Sequence, residues 1–172
     1  KVVCGNDFTK VDKDVLELVP YFKREIMDST LHKNLYPISF CVPKEKILDE
    51  VPIKVVNESE EKPNHSGESG WKIKTEHEYY QKYKDAAYAV TYKKGGWDSL
   101  RHYEIMMNGC FPWFQGLAEC PEHTLTTLPK EFILETISNN KIADYELEYI
   151  LNYARKYCTT EFAAKYVLHG TK

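Results

Sequence analysis

Nothing in this chain approaches the ~18 consecutive apolar residues of a membrane span, and no stretch has the zoned pattern of a signal peptide. A basic excess is missing too. Lys and Arg total 23 against 26 Asp and Glu, a formal net charge of -3. That excludes a non-specific nucleic-acid binder, which works by neutralising phosphates. Closely spaced cysteines are also missing. The five thiols, Cys4, Cys41, Cys110, Cys120 and Cys158, contain no Cys-x-x-Cys pair, so neither a zinc ribbon nor a dense disulfide framework is indicated. Only Cys110 and Cys120 bracket a short loop suited to a bridge in an oxidising compartment; free thiols are the expectation. Cys120 and His123 lack companions at metal-ligand spacing. There is no internal repeat.

What is present suits one folded domain. The chain has 172 residues, 42% hydrophobic and 28% charged, enough to bury a core. Its 13 tyrosines fit a large core with polar edges near a ligand cleft. It opens at Lys1, not at methionine, and reads as an excised domain. Residues 1–7 predict a short buried strand and a turn. Val15, Val19, Phe22 and Ile26 fall at helical spacing over 12–28, a helix that Pro20 must kink or divide. Residues 35–43 look extended, with prolines near strand ends. From 57 to 70 the composition turns to Asn, Glu, Ser, Pro and Gly, which predicts a mobile surface loop or an insertion.

Beyond Trp71 the pattern is α/β. A short helix at 76–84 leads into a strand at 86–92, a helix at 98–108 stopped by Gly109, and a strand at 110–114. Two strands joined by one helix form a βαβ unit and imply a parallel sheet. The tail, 129–169, predicts helices at 131–137, 144–157 and 160–168. Leu147, Ile150, Leu151 and Ala154 lie at core spacing and should pack on the sheet and reach toward another lobe.

The stretch between the two strands carries the chemistry. Asp98 is a natural N-cap, and Gly95 and Gly96 let the backbone turn tightly and approach a ligand. A helix N-terminus after a strand attracts phosphate, and Lys93 and Lys94 add cations at the same end of the sheet, where ligands of open α/β sheets sit. On the helix itself, Leu100, Tyr103, Glu104 and Met107 follow i, i+3, i+4, i+7. Glu104 thus shares a stripe expected to face the core, and a buried carboxylate needs a partner. Arg101, at i−3, is the structural candidate; the vicinal hydroxyls of a ribose are the functional one.

These residues, Lys94-Gly95-Gly96-Trp97-Asp98, then Arg101-His102-Tyr103-Glu104-Ile105, then Gly109-Cys110-Phe111-Pro112, resemble the donor-binding lobe of exostosin-like glycosyltransferases. They are also similar to related enzymes of large DNA viruses, algae and microbes. The likeness extends through Leu117-Ala118-Glu119-Cys120-Pro121 and Thr124-Leu125-Thr126, and less specifically to Tyr21-Phe22-Lys23-Arg24 and to residues 35–40. It implies a GT-B enzyme, a class built of two Rossmann lobes, with this chain as a single α/β domain over 1–172. The expected architecture is a Rossmann-like parallel sheet flanked by helices, with a helical C-terminal tail. Gly95, Gly96 and Asp98 would shape the phosphate loop beside Lys94, Arg101 would contact diphosphate or sugar, and Glu104 would hold ribose. Phe111 departs from the more usual aliphatic residue.

The implied reaction moves a sugar, hexosyl or pentosyl, from a nucleotide diphosphate to a glycan or protein acceptor. The nucleotide sugar is a substrate, no cofactor or metal is expected, and an N-terminal lobe or parent chain would complete the enzyme. A non-catalytic nucleotide-sugar or glycan-binding module, and a structural protein that keeps the lobe for packing, remain alternatives. Lys23 and Arg24 read as a solvated basic pair, with the opposite wall of a nucleotide site as the alternative. His102 is expected to be exposed or behind the site, and Trp97 and Trp113 to anchor the core. Asn57-Glu58-Ser59 and Asn64-His65-Ser66 are glycosylation sequons. The cytoplasm is expected ahead of a secretory lumen.

Overall fold

The computed structural model describes residues 3–5, 10–27, 32–59 and 75–170. They form two small parallel sheets with helices packed around them. The first holds β1 (Val3–Cys4), β2 (Tyr21–Lys23) and β3 (Leu35–Pro37), and the second β4 (Val56–Glu58), β5 (Ala86–Tyr92) and β6 (Phe111–Gln115). Every pairing is parallel, with Phe22 opposite Tyr36 in one sheet and Val90 opposite Trp113 in the other. The α/β class is as expected, but the β-structure is divided between two sheets instead of gathered in one.

One helix prediction fails. Helix α1 covers only Lys13–Leu18, and Phe22 lies on a strand. Pro20 cannot continue a helix, and the next residues gain a ladder with β1 and β3 on both sides. A short apolar run fits either period, so spacing could not decide. Strand β4 likewise takes in Asn57 and Glu58, where a loop was expected; residues 60–70 lie outside the described residues.

Around the second sheet the predicted helices appear close to their expected bounds. Helix α2 (Glu76–Asp85) opens on a reciprocal cap between Thr75 and Glu78. Lys54 closes it by donating to the carbonyls of Tyr83 and Lys84. Helix α3 (Leu100–Met107) ends at Gly109, whose φ of +65° suits glycine. Then come α4 (Lys130–Asn139), α5 (Asp144–Tyr157) and α6 (Thr160–Gly170).

The main core lies where α3, α4 and α5 meet β6, around Met106, Phe114, Ile133, Ile150 and Ala154. A second cluster fills the space beneath α2, and a third, around Leu16 and Ile26, serves the first sheet. The tail also touches the first half of this chain. Thr159 bridges Val42, and Gly170 packs so closely on Phe22 and Tyr36 that an added Cβ would stand 3.1 Å from the Phe22 ring. No helix among the described residues is long and apolar enough to cross a membrane.

Candidate functional site

The two sheets meet by the carboxyl ends of their strands. Arg24 and Glu25 follow β2, Ser39 and Phe40 follow β3, the 93–98 loop follows β5, and Thr124 lies in the segment after β6. Contacts tie them together. The Asp98 N–H donates to Glu25 Oε1 at 2.8 Å, and the Phe40 N–H donates to Asp98 Oδ2 at 2.8 Å. Thr124 Oγ1 accepts from the Ile26 N–H and donates to the Ile26 carbonyl, both at 2.9 Å. Lys130 holds the 121–124 turn by donating to the carbonyls of Pro121, Glu122 and Thr124. Strand carboxyl ends are where α/β sheets present their ligands.

Within the 93–98 loop the glycines differ. A Cβ on Gly96 would lie 2.7 Å from Glu25 Oε1, so Gly96 makes room for that carboxylate. Gly95 is exposed and faces open space. Lys93 and Lys94 are also exposed; the Lys93 ammonium lies 5.0 Å over the Trp97 ring, and the Lys94 N–H closes a turn onto the Gly96 carbonyl.

Asp98 is not the helix cap. Ser99 occupies that position without a side-chain capping bond, and Asp98 is buried. Its oxygens take the Phe40 N–H and, at 2.9 Å, the Tyr103 hydroxyl. Two donors from separate elements hold it inside the junction instead. Burial pushes its carboxyl up to about 6, against the pull of those two bonds and of Arg24.

The stripe on α3 is also corrected. Leu100 is 40% exposed and Glu104 half-buried, whereas Arg101, His102, Tyr103, Ile105, Met106 and Met107 are buried. Wedged among β5, β6, α2 and α5, α3 leaves Leu100 and Glu104 on its least covered side. Glu104 accepts a hydrogen bond from Tyr79 at 3.1 Å, and its other oxygen lies 3.4 Å from the Tyr80 hydroxyl, whose one proton it shares with Glu76 at 3.1 Å; both tyrosines are on α2. Burial and the Glu104 charge raise the Tyr80 hydroxyl above its ordinary value, so it remains a donor.

His102 is fully buried, against expectation. Its Nε2 lies 2.9 Å from the Trp97 carbonyl, which can only accept, so Nε2 carries the proton and Nδ1 accepts from Thr91. Burial lowers it to about 4, which leaves a neutral ring with both nitrogens engaged. It braces the loop and is no base.

Lys23 is buried too, not solvated, and burial lowers its ammonium despite the nearby Glu25 charge. Arg24 stacks 3.8 Å above the Phe40 ring. Lys23 ends β2 and Arg24 follows it, just before the Glu25 that bonds the 93–98 loop. Trp97 is buried in the main core, and Trp113 packs against Tyr88 at its edge. All five cysteines are free. Burial lifts Cys110 and Cys158 to about 12 and Cys120 to about 11, so these thiols stay protonated. The sequence contains an Asp-x-Asp triplet, Asp12-Lys13-Asp14, a pattern that can bind metal and that the metal-free expectation passed over. Asp12 caps α1 by accepting from the Asp14 and Val15 N–H groups.

Sequence reasoning missed Glu25, Phe40, Tyr79 and Tyr80, each supplied by an element remote from the motif. It also missed a cavity of about 200 Å³ between the exit of β3, residues 126 and 127, and the α5–α6 corner. No family model, curated protein or solved structure matches this chain.

Proposed function

We propose that this chain is the donor-binding part of a glycosyltransferase of the GT-B kind. It would act on a nucleotide-diphosphate sugar and a glycan or protein acceptor. An acceptor hydroxyl attacks the anomeric carbon, and the chain stabilises the departing diphosphate. The carrying observation is the exposed Lys93-Lys94-Gly95 segment at the carboxyl end of β5, in a loop that Asp98 and Glu25 join to the exit of β2 in a second parallel sheet. Gly95 leaves space that packing does not use, and two cations flank it. Glu104, half-buried on the same helix, is the carboxylate proposed to meet the ribose hydroxyls, with Tyr79 and Tyr80 beside it.

One observation favours the reading in which the lobe is kept for packing alone. Glu25 already occupies the Asp98 amide and the space beside Gly96, so a carboxylate sits where a phosphate oxygen would bond.

Calorimetric titration with UDP and GDP tests the proposal. Binding of either is expected, and Glu104→Gln should weaken it by about 1–3 kcal/mol, the worth of a hydrogen bond to a charged group. Absence of binding by both nucleotides at millimolar concentration rejects the donor-site reading. Sugar-nucleotide turnover by the full parent protein separates an enzyme from a binding module.

A further inference from the structure

We propose that Cys41 and Cys158 are the two halves of a disulfide site, which a small-molecule disulfide closes to clamp the exit of β3 onto the corner between α5 and α6. The inference goes beyond the nucleotide reading and does not depend on it.

Backbone pairing brings the two together. Val42 and Thr159 form an isolated parallel bridge. In it the Val42 N–H donates to the Cys158 carbonyl at 2.9 Å, and the Thr160 N–H donates to the Val42 carbonyl at 3.1 Å. Cys41 and Cys158 each stand one residue before that bridge, so they share a register. Paired segments lie about 4.8 Å apart, inside the roughly 4.4–6.8 Å between Cα atoms that a disulfide spans. The side chains turn the same way. The Cys158 thiol donates to the Thr127 carbonyl at 3.4 Å, and Cys41 and Thr127 line one cavity.

The other thiols lack such a neighbour. Beyond the effect of burial, Cys158 senses Cys41 and then Asp98, and Cys41 senses Asp98 and then Glu161. Cys110 answers instead to Lys54, and Cys120 to Lys130. Those two lie beyond opposite ends of β6, which disfavours the bridge their spacing suggested. The clamp would also join residues far apart in sequence, the kind of cross-link that most restrains an unfolded chain.

The chemistry follows from access. Cys41 is half-buried on the cavity wall, whereas Cys158 is fully buried. The Cys41 thiolate attacks one sulfur of the small-molecule disulfide, expels the other as a thiolate and is left in a mixed disulfide. The Cys158 thiolate then displaces the remaining half. Two S–H bonds are lost and one S–S bond forms; both electrons and both protons leave with the small molecule, now two thiols. Burial keeps both cysteines protonated, so closure is slow at neutral pH and quickens about tenfold per pH unit as thiolate accumulates.

The test exposes the native chain to glutathione disulfide at about pH 8.5, quenches in acid, alkylates, and maps peptides by mass spectrometry. A cross-linked pair of peptides carrying Cys41 and Cys158 is expected, and dithiothreitol should separate it. Closure should be about ten times slower one pH unit lower. The linked chain should unfold at a higher urea concentration than the reduced one. Cys41→Ala and Cys158→Ala should each abolish the link. Should Cys158→Ala fail to fold, Cys41→Ala, a change on the cavity wall, decides alone. The proposal is overturned if native chain yields no such pair, if Cys110 and Cys120 link in its place, or if the pair forms only in urea. A link that lowers the urea midpoint, or a rate indifferent to pH, overturns it as well.

Discussion

Asp98 and Glu104 flank the first turns of α3 and are held in opposite ways. Asp98 is buried and joins three elements: the exit of β3 through Phe40, α3 through Tyr103, and the exit of β2 through its own N–H and Glu25. Glu104 is half-buried and reaches two phenols on the neighbouring α2. A carboxylate bonded to several elements becomes part of the frame, because losing it strands buried donors. One at the rim can exchange a partner with little loss. Asp98 is therefore assigned to architecture, and Glu104 is the residue the proposed donor site calls on.

The contrast can be broken in order of expected effect. Asp98→Ala strands the Phe40 N–H and the Tyr103 hydroxyl and should cost about 3–5 kcal/mol in urea unfolding; a loss below about 1 kcal/mol would dissolve the distinction. The pH dependence comes next. Asp98 holds its proton more tightly when folded, about 6 against an ordinary 3.8. Its contribution is therefore complete below pH 3.8 and disappears as the pH climbs through about 6, a difference of about 3 kcal/mol. Asp98→Asn has no proton to lose, so stability curves for it and the native chain should diverge across that window. Parallel curves would place the titration elsewhere.

Glu25→Ala should cost about 1–2 kcal/mol by orphaning the Asp98 amide, and should tighten UDP binding by clearing the seat beside Gly96. Weaker UDP binding in that variant would make Glu25 a ligand contact. Smallest is Glu104→Gln, whose effect on stability should stay below about 1 kcal/mol because the amide oxygen still accepts from a tyrosine. A larger loss would make Glu104 a frame residue as well.

Much of the second half was legible because its signals are long and agree. Strand β5 and helix α5 appear at their expected bounds, and Gly109 ends α3 where its positive φ is needed. The first sheet was less legible. Its strands have two or three residues, too few to separate a period of two from one of 3.6. The site divided the same way. The lysine-glycine loop was found by its place after a strand, whereas the burial of His102 and the exposure of Leu100 went unread. An amphipathic pattern locates one covered face, and α3 is covered nearly all round.

The chain's own letters thus settled its α/β class, its central βαβ unit and its helical tail, since period, glycine and proline act over a few residues. The folded structure alone decided that there are two sheets, that their carboxyl ends meet, and that Glu25 and Phe40 close on Asp98. Those pairings span 73 and 58 positions. Contacts that distant depend on how whole elements pack, and no local pattern encodes them.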